Sequence, residues 1–197
     1  MKLYIFIELL ILFIILLGKL FINESILNII KFIPIIINLI VIFNKKNNYL
    51  KLCIFFTLIA DLFFLIIDIH SIGISFFILV QVFYFLYLKD NKKLFIFSFI
   101  NIIISLILQN NILLIESILY GIIQLINIYN YHKETKINKK INILKYSLIL
   151  LFLCDLSILF KSIINKDIFI ITLDIVEWLF YIISQMIVTI YIIKSNK

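Results

Sequence analysis

Two aspartates stand in otherwise apolar stretches of the sequence, and their carboxyl groups are the side chains best suited to chemistry. Asp61 lies ten residues after Lys51, and the same spacing separates Asp155 from Lys145. If both stretches cross a membrane as helices, a rise of ~1.5 Å per residue places each carboxyl group ~15 Å from the membrane edge. A charged aspartate at that depth costs at least ~2.5–3.5 kcal/mol, which favours a functional role over a packing role.

Other polar side chains recur three or four residues apart, a spacing that places them on one face of a helix. These stripes are Asn28, Lys31 and Asn38; Thr57, Asp61 and Asp68; Ser98, Asn101, Ser105 and Gln109; Glu116, Tyr120, Gln124, Asn127 and Tyr131; and Glu177, Tyr181 and Gln185. They cannot face lipid tails, because an unpaired polar group in hydrocarbon costs several kcal/mol. We expect them to face one another or a wet cavity, and interhelical hydrogen bonding accounts for the asparagines and serines.

Lys31 is the basic residue that lies deepest in an apolar stretch. It is either a counter-ion for Asp61 or Asp155, or a side chain that extends to the outer membrane surface, about two helical turns away. The sequence leaves both interpretations open.

The composition indicates a membrane protein. The 197 residues are 64% hydrophobic and 15% charged, with a mean hydropathy of +1.21, whereas a soluble domain needs more polar surface. The net charge of +7 comes without a basic patch interleaved with aromatics, which argues against a nucleic-acid partner.

Cys53 and Cys154 lie in apolar stretches, and the two histidines, His70 and His132, are far apart. We therefore expect neither a disulfide framework nor a metal site.

Eight segments approach the roughly 20 apolar residues that a membrane span requires. The predicted spans are 3–21, 25–43, 50–69, 71–88, 94–109, 111–131, 143–164 and 169–193. The first has no cleavage site typical of a signal peptide, so we expect it to be retained. The predicted fold is a single all-α domain over residues 1–197, a polytopic membrane helical bundle of about eight helices.

The lysines predict an orientation. With a cytoplasmic N-terminus, fourteen of the 18 lysines fall on the inner side and three, Lys19, Lys161 and Lys166, on the outer side. This asymmetry is the positive-inside pattern, and an even number of spans with both termini in the cytoplasm satisfies it. We expect a bacterial plasma-membrane protein whose lysine-rich segment 131–142 is a cytoplasmic loop beside anionic headgroups.

The two halves of the sequence also correspond. Ala60-Asp61-Leu62 is similar to Cys154-Asp155-Leu156, and Gln81 and Gln185 stand eight and nine residues before a lysine. The correspondence indicates a weak parallel internal repeat of four helices plus four.

Five short motifs resemble those of one known family. They are Lys31-Phe32-Ile33-Pro34; Ala60-Asp61; Gly73, Phe76 and Tyr84; Phe152-Leu153-Cys154-Asp155; and Tyr181 with Gln185. In this order, and with eight spans, the whole chain resembles the YhhN-type lysoplasmalogenases. That family usually has Gly and Ser where Ala60 and Cys154 stand, and a His where Gln81 stands. The change at Gln81 bears on catalysis more than on the fold.

The resemblance implies a hydrolase whose partner is a membrane phospholipid. Its reaction is cleavage of the vinyl ether bond of lysoplasmalogen to a fatty aldehyde and a glycerophospho head group. Such ethers hydrolyse by proton transfer to the β-carbon, after which water captures an oxocarbenium ion. One of the two carboxyl groups, Asp61 or Asp155, is expected to stay protonated because it is buried and to act as the acid. The other is expected to be ionised and to act as the base. No metal or cofactor is expected. The side chains expected to position substrate and water are Lys31, Gln81, Tyr84, Glu177, Tyr181 and Gln185.

Two other functions fit the same residues. A small transporter or channel would use Asp61, Asp155 and Lys31 as a proton or ion relay. A non-catalytic membrane scaffold would use the polar stripes only to hold its helices together. Three glycines and one proline leave little scope for the broken helices of many transporters.

Overall fold

Helices, without any strand, make up the part of the chain that the structure describes. The computed structural model describes residues 1–89, 100–104, 107, 113–163 and 167–195. Its long helices are α1 (Lys2–Phe21), α2 (Glu24–Ile42), α3 (Asn48–Leu62), α4 (His70–Leu88), α5 (Leu113–Thr135), α6 (Asn142–Ile163) and α7 (Asp167–Ser195). A π-helical segment, Phe63–Ile67, continues α3, and a 3₁₀ turn, Lys139–Ile141, precedes α6.

Six of these helices, α2 to α7, are long and apolar enough to cross a membrane, and α1 has 20 residues. The prediction of an all-helical protein with membrane-length apolar helices is confirmed. The fifth predicted span, 94–109, lies mostly outside the described residues, although 100–104 are helical. The same is true of Ser98, Ser105 and Gln109 in its polar stripe. The count of eight spans and the internal repeat stay predictions.

Asparagine side chains begin several of these elements. Asn23 accepts a hydrogen bond from the backbone N–H of Ser25 at 3.1 Å at the start of α2. Asn47 does the same for Leu50 at the start of α3. Such caps satisfy N–H groups that have no partner within the helix. The asparagine-rich connections in the sequence therefore fix where the helices begin.

The connection between α3 and α4 is very short. Asp68 has φ 62° and ψ 37°, a left-handed conformation that aspartate tolerates better than most residues. Its side chain is 85% exposed. The prediction that Asp68 shares a buried polar stripe with Asp61 is therefore wrong, because the π-helical segment and the left-handed residue rotate it off that face.

Adjacent helices are joined by polar as well as apolar contacts. The most extensive pairs are α6 with α7 and α3 with α4, and α1 packs on α2 and α7. Ser147 of α6 and Ser184 of α7 each donate to the other's backbone carbonyl, at 3.0 Å and 2.9 Å. These bonds satisfy both hydroxyl groups inside an apolar environment.

Contacts also define two ends of the bundle. The Tyr87 and Tyr191 hydroxyls lie 2.8 Å apart at the end where α1 begins and α7 finishes, here called the terminal end. Lys19 and Asp174 lie 2.5 Å apart at the other end, here called the far end. Large apolar side chains remain exposed around the helices between these ends, among them Phe6, Phe13, Ile40, Leu114 and Phe169. Apolar surface of this extent is typical of contact with lipid.

Candidate functional site

Asp61 lies on the buried face of α3 and is 5% exposed. Its carboxylate accepts a hydrogen bond from the hydroxyl of Tyr181 on α7. The Trp178 ring packs edge-on against Tyr181, with ring centroids 5.5 Å apart. The structure thus brings together Asp61 and Tyr181, two of the residues that the sequence singled out.

Asp155 lies on α6 and has partners on α5. Its Oδ2 accepts hydrogen bonds from the Tyr120 hydroxyl at 2.9 Å and from Gln124 Nε2 at 2.7 Å. Tyr120 and Gln124 are one helical turn apart and therefore reach the same carboxylate. Asp155 is half-buried, so it is more accessible than Asp61.

The surroundings of the two carboxyl groups are linked through shared neighbours. Tyr181 lies close enough to Tyr120 for the two side chains to interact electrostatically. Cys154 is similarly close to both Asp61 and Asp155. Among the ion pairs of the described residues, none includes either aspartate.

Apolar side chains enclose these shared neighbours. Cys154 and Tyr181 belong to a cluster of buried residues. Its other members are Leu12, Ile15, Leu27, Leu151, Trp178 and Ile182. Phe77 packs against this cluster and lies 6.0 Å, centroid to centroid, from the Tyr120 ring. An environment of this kind strengthens every electrostatic interaction inside it.

Gln81 adjoins the site, whereas Tyr84 does not touch it. Gln81 is fully buried, its Oε1 accepts from Asn127 Nδ2 at 2.9 Å, and its side chain lies near the Tyr120 hydroxyl. Its Nε2 has no hydrogen-bond partner among the described residues. Tyr84 lies nearer the terminal end, where its backbone carbonyl accepts from the Tyr131 hydroxyl at 2.9 Å.

Lys31 extends toward the far end. Its Nζ lies 3.3 Å from Asn28 Oδ1, 3.7 Å from Glu24 and 4.8 Å from the centroid of the Trp178 ring. The interpretation of Lys31 as a counter-ion for Asp61 or Asp155 is therefore wrong. The alternative, an extension toward the far end, agrees with the structure.

Glu177 belongs to a network of charges at the far end. Its carboxylate lies 2.6 Å from Lys161 Nζ, and Lys161 also binds Asp174. Lys19 lies 2.5 Å from Asp174 and 3.3 Å from Glu24. Glu177 thus shares a helix face with Tyr181 but is neutralised by Lys161.

A small crevice, with a volume of about 10 Å³ and therefore room for about one water molecule, opens beside this network. Its lining combines charged and apolar side chains, namely Ile15, Leu16, Lys19, Leu27, Lys31, Asp174, Ile175 and Trp178. Trp178, which lines the crevice, packs against Tyr181, the hydrogen-bond partner of Asp61.

Gln185 follows Tyr181 by one turn on α7 and is 2% exposed. Its Oε1 has no hydrogen-bond partner among the described residues. The sequence also missed Glu8, a fully buried carboxyl group on α1. Its only signal was a lone acidic residue in an apolar span.

No group of three or more His, Cys, Asp or Glu side chains in the described ranges is placed to hold a metal ion. No protein-family model, no curated protein and no solved structure matches this chain. The geometry of the two carboxyl groups is therefore the main guide to function.

Proposed function

We propose that this protein is a membrane-embedded hydrolase that cleaves the vinyl ether bond of a lysoplasmalogen. The observation that carries the proposal is the placement of Asp61 and Asp155. They come from different helices, each accepts a hydrogen bond from a tyrosine on a facing helix, and Cys154 interacts electrostatically with both. Two carboxyl groups with shared neighbours can divide the acid and base roles.

The hydrogen bonds suggest which group takes which role. Asp155 accepts two hydrogen bonds, and donors of this kind stabilise an ionised carboxylate, so we assign it the base. Asp61 is more deeply buried and accepts one from Tyr181, so we assign it the acid.

In the proposed reaction, Asp61 protonates the β-carbon of the vinyl ether. The resulting oxocarbenium ion is captured by water, which loses a proton to Asp155. The hemiacetal then separates into a fatty aldehyde and the glycerol hydroxyl of the head-group product. One water molecule is consumed, and a proton returned from Asp155 to Asp61 restores the starting state.

Lys31, beside the far-end crevice, offers a contact for the phosphate of the lipid. Lys31 has one long pairing, 3.7 Å, with Glu24, whose side chain is 65% exposed, so its charge is incompletely neutralised. An ammonium group in a partly desolvated crevice favours a phosphate oxygen. A lipid held there would pass Trp178 and present its ether bond near Tyr181 and Asp61.

The test is aldehyde release from a lysoplasmalogen by the purified protein in detergent. A lysolipid with a saturated alkyl ether and the same head group is the matched control, because it has no double bond to protonate. We expect aldehyde only from the vinyl ether. The rate of its release should have a bell-shaped dependence on pH, because one carboxyl group of the pair must be protonated and the other ionised.

Asp61→Asn and Asp155→Asn should each lower turnover by about 10²- to 10⁴-fold. Both variants should stay folded, because asparagine keeps the shape of the side chain and carries no charge. Glu116→Gln, which alters a buried carboxyl group bonded to Ser75 outside the site, is the control and should stay active. Retained activity in both aspartate variants, or no aldehyde from the unaltered protein, would refute the proposal.

A further inference from the structure

Glu8 is a carboxyl group whose environment the proposed reaction does not explain. It is fully buried on α1, and neither of its oxygens has a hydrogen-bond partner among the described residues. The described ion pairs do not include it either. An isolated buried carboxylate is so costly that such groups are normally paired or bind an ion.

The neighbours of Glu8 join three helices at one level. Tyr4, one turn before Glu8 on α1, donates its hydroxyl to Asn38 Oδ1 of α2. Thr189 of α7 donates to the same oxygen at 3.0 Å. All three side chains are buried, and Tyr4 also interacts electrostatically with Glu8.

Helix register extends this layer by one turn toward the far end. Because α1 and α7 run in opposite directions, the residue one turn after Tyr4 meets the level of the residue one turn before Thr189. Those residues are Glu8 and Gln185. Gln185 is 2% exposed, and its Oε1 lacks a hydrogen-bond donor among the described residues.

Helix register thus places the two Glu8 oxygens and Gln185 Oε1 at one level, next to a layer in which Asn38 Nδ2 is a buried donor without a partner among the described residues. A protonated Glu8 would donate its O–H to an acceptor such as Gln185 Oε1, whereas an ionised Glu8 requires a positively charged partner. A single cation can contact all three oxygens, with the hydroxyl and amide oxygens of the Tyr4, Asn38 and Thr189 layer nearby. Hard cations bind oxygen ligands, and divalent ions commonly use several carboxylates, whereas this set contains one.

We propose that a monovalent alkali cation, Na⁺ or K⁺, binds between α1, α2 and α7, with Glu8 and Gln185 as ligands. The bound ion would tie α7 to α1 one turn from Tyr181, the partner of Asp61. The site goes beyond the hydrolase proposal and does not depend on it.

The test measures the unfolding temperature of the purified protein in a neutral detergent. NaCl, KCl and LiCl are compared with N-methylglucamine chloride at constant ionic strength and pH. Because an ion that binds only the folded state stabilises it, the unfolding temperature should rise saturably with Na⁺ or K⁺. N-methylglucamine, which is too large for the site, should produce no such rise.

Glu8→Gln should abolish the cation-specific rise. Glu134→Gln, which removes one negative charge near the end of α5, is the matched control and should retain it. Equal unfolding temperatures in all four salts, or an unchanged response in Glu8→Gln, would overturn the proposal.

Gln185→Met provides a second test should Glu8→Gln not fold. Methionine keeps the volume of glutamine but removes the amide oxygen, so higher cation concentrations should be needed for the same rise. An unchanged concentration dependence in this variant would also count against the site.

Discussion

The hydroxyl groups of Tyr181 and Tyr120 each hold one of the two aspartates inside the bundle. Removing a hydroxyl leaves a buried carboxyl group short of a donor, at a cost of about 1–3 kcal/mol. We expect Tyr181→Phe to lower both thermal stability and aldehyde release. Tyr120→Phe should have the smaller effect on stability, because Gln124 still donates to Asp155 at 2.7 Å.

Tyr129→Phe is the control for both changes. Tyr129 lies on α5 like Tyr120, but it is 67% exposed. Its variant should match the unaltered protein in unfolding temperature and in aldehyde release. If Tyr181→Phe behaves like this control, the bond between Tyr181 and Asp61 has no role in the site.

Lys31 provides a second prediction for single residues. If its ammonium group meets the lipid phosphate, Lys31→Met should raise KM for lysoplasmalogen with a smaller change in kcat, because it removes binding more than chemistry. Methionine is similar to lysine in length but lacks the ammonium group that lies over the Trp178 ring. Lys45→Met, which removes a lysine at the terminal end, should leave both constants unchanged. An unchanged KM in Lys31→Met would exclude the phosphate contact.

Sequence spacing identified Asp61 and Asp155 but not all of their partners. Tyr120 and Gln124 were visible as members of a stripe, yet their pairing with Asp155 depends on how α5 and α6 are rotated about their axes. Lys31 was ambiguous because a long side chain can reach in either direction along its helix. Glu8 belonged to no stripe, so periodicity could not distinguish it.

At the scale of the helices, the junction between α3 and α4 begins two residues after Asp61. Asp68 holds φ 62°, and a β-branched residue in this conformation is strained by about 1–2 kcal/mol. Asp68→Val should therefore lower the unfolding temperature, and it should reduce activity if the strain shifts α3. Asp68→Gly is the control, since glycine adopts this conformation freely. Equal stability of the two variants would show that the junction tolerates another conformation.

Gly73 provides a separate test of the same junction. A Cβ atom there would lie 2.5 Å from the Phe64 ring of the π-helical segment. We expect Gly73→Ala to destabilise the protein and Phe64→Leu to relieve part of that loss, as measured by thermal unfolding of both single variants and the double variant. Gly121→Ala, with nothing within 4 Å of the added atom, should not destabilise it. Additive effects of Gly73→Ala and Phe64→Leu would contradict this contact.

Helix positions followed from the sequence more readily than the junctions between helices. Runs of apolar residues bounded by lysine and asparagine predicted α2 and α4 to within a residue or two. The π-helical segment was not predicted, because the apolar run Phe63–Ile67 has the same hydrophobicity pattern as an ordinary helix. Asp68 was read as part of a stripe for the same reason.

At the scale of the whole molecule, polar groups form successive layers along the bundle. The charged network lies at the far end, followed by the two aspartates with their tyrosines, and then by Gln185 and Glu8. Tyr87 and Tyr191 close the terminal end. The depth of each layer could be estimated from residue spacing, whereas the lateral contacts within a layer required the arrangement of all the helices.

The orientation of this bundle in a membrane is the last prediction. α1 begins and α7 finishes at the same end, and the fourteen-to-three distribution of lysines assigns that end to the cytoplasm. Reporters fused after Lys197, or inserted at Ile137 between α5 and α6, should be on the cytoplasmic side. A reporter inserted at Asn23, between α1 and α2, should be on the opposite side and serves as the internal control. Because each crossing reverses the side, termini on opposite sides would require an odd number of spans and would refute the eight-helix arrangement.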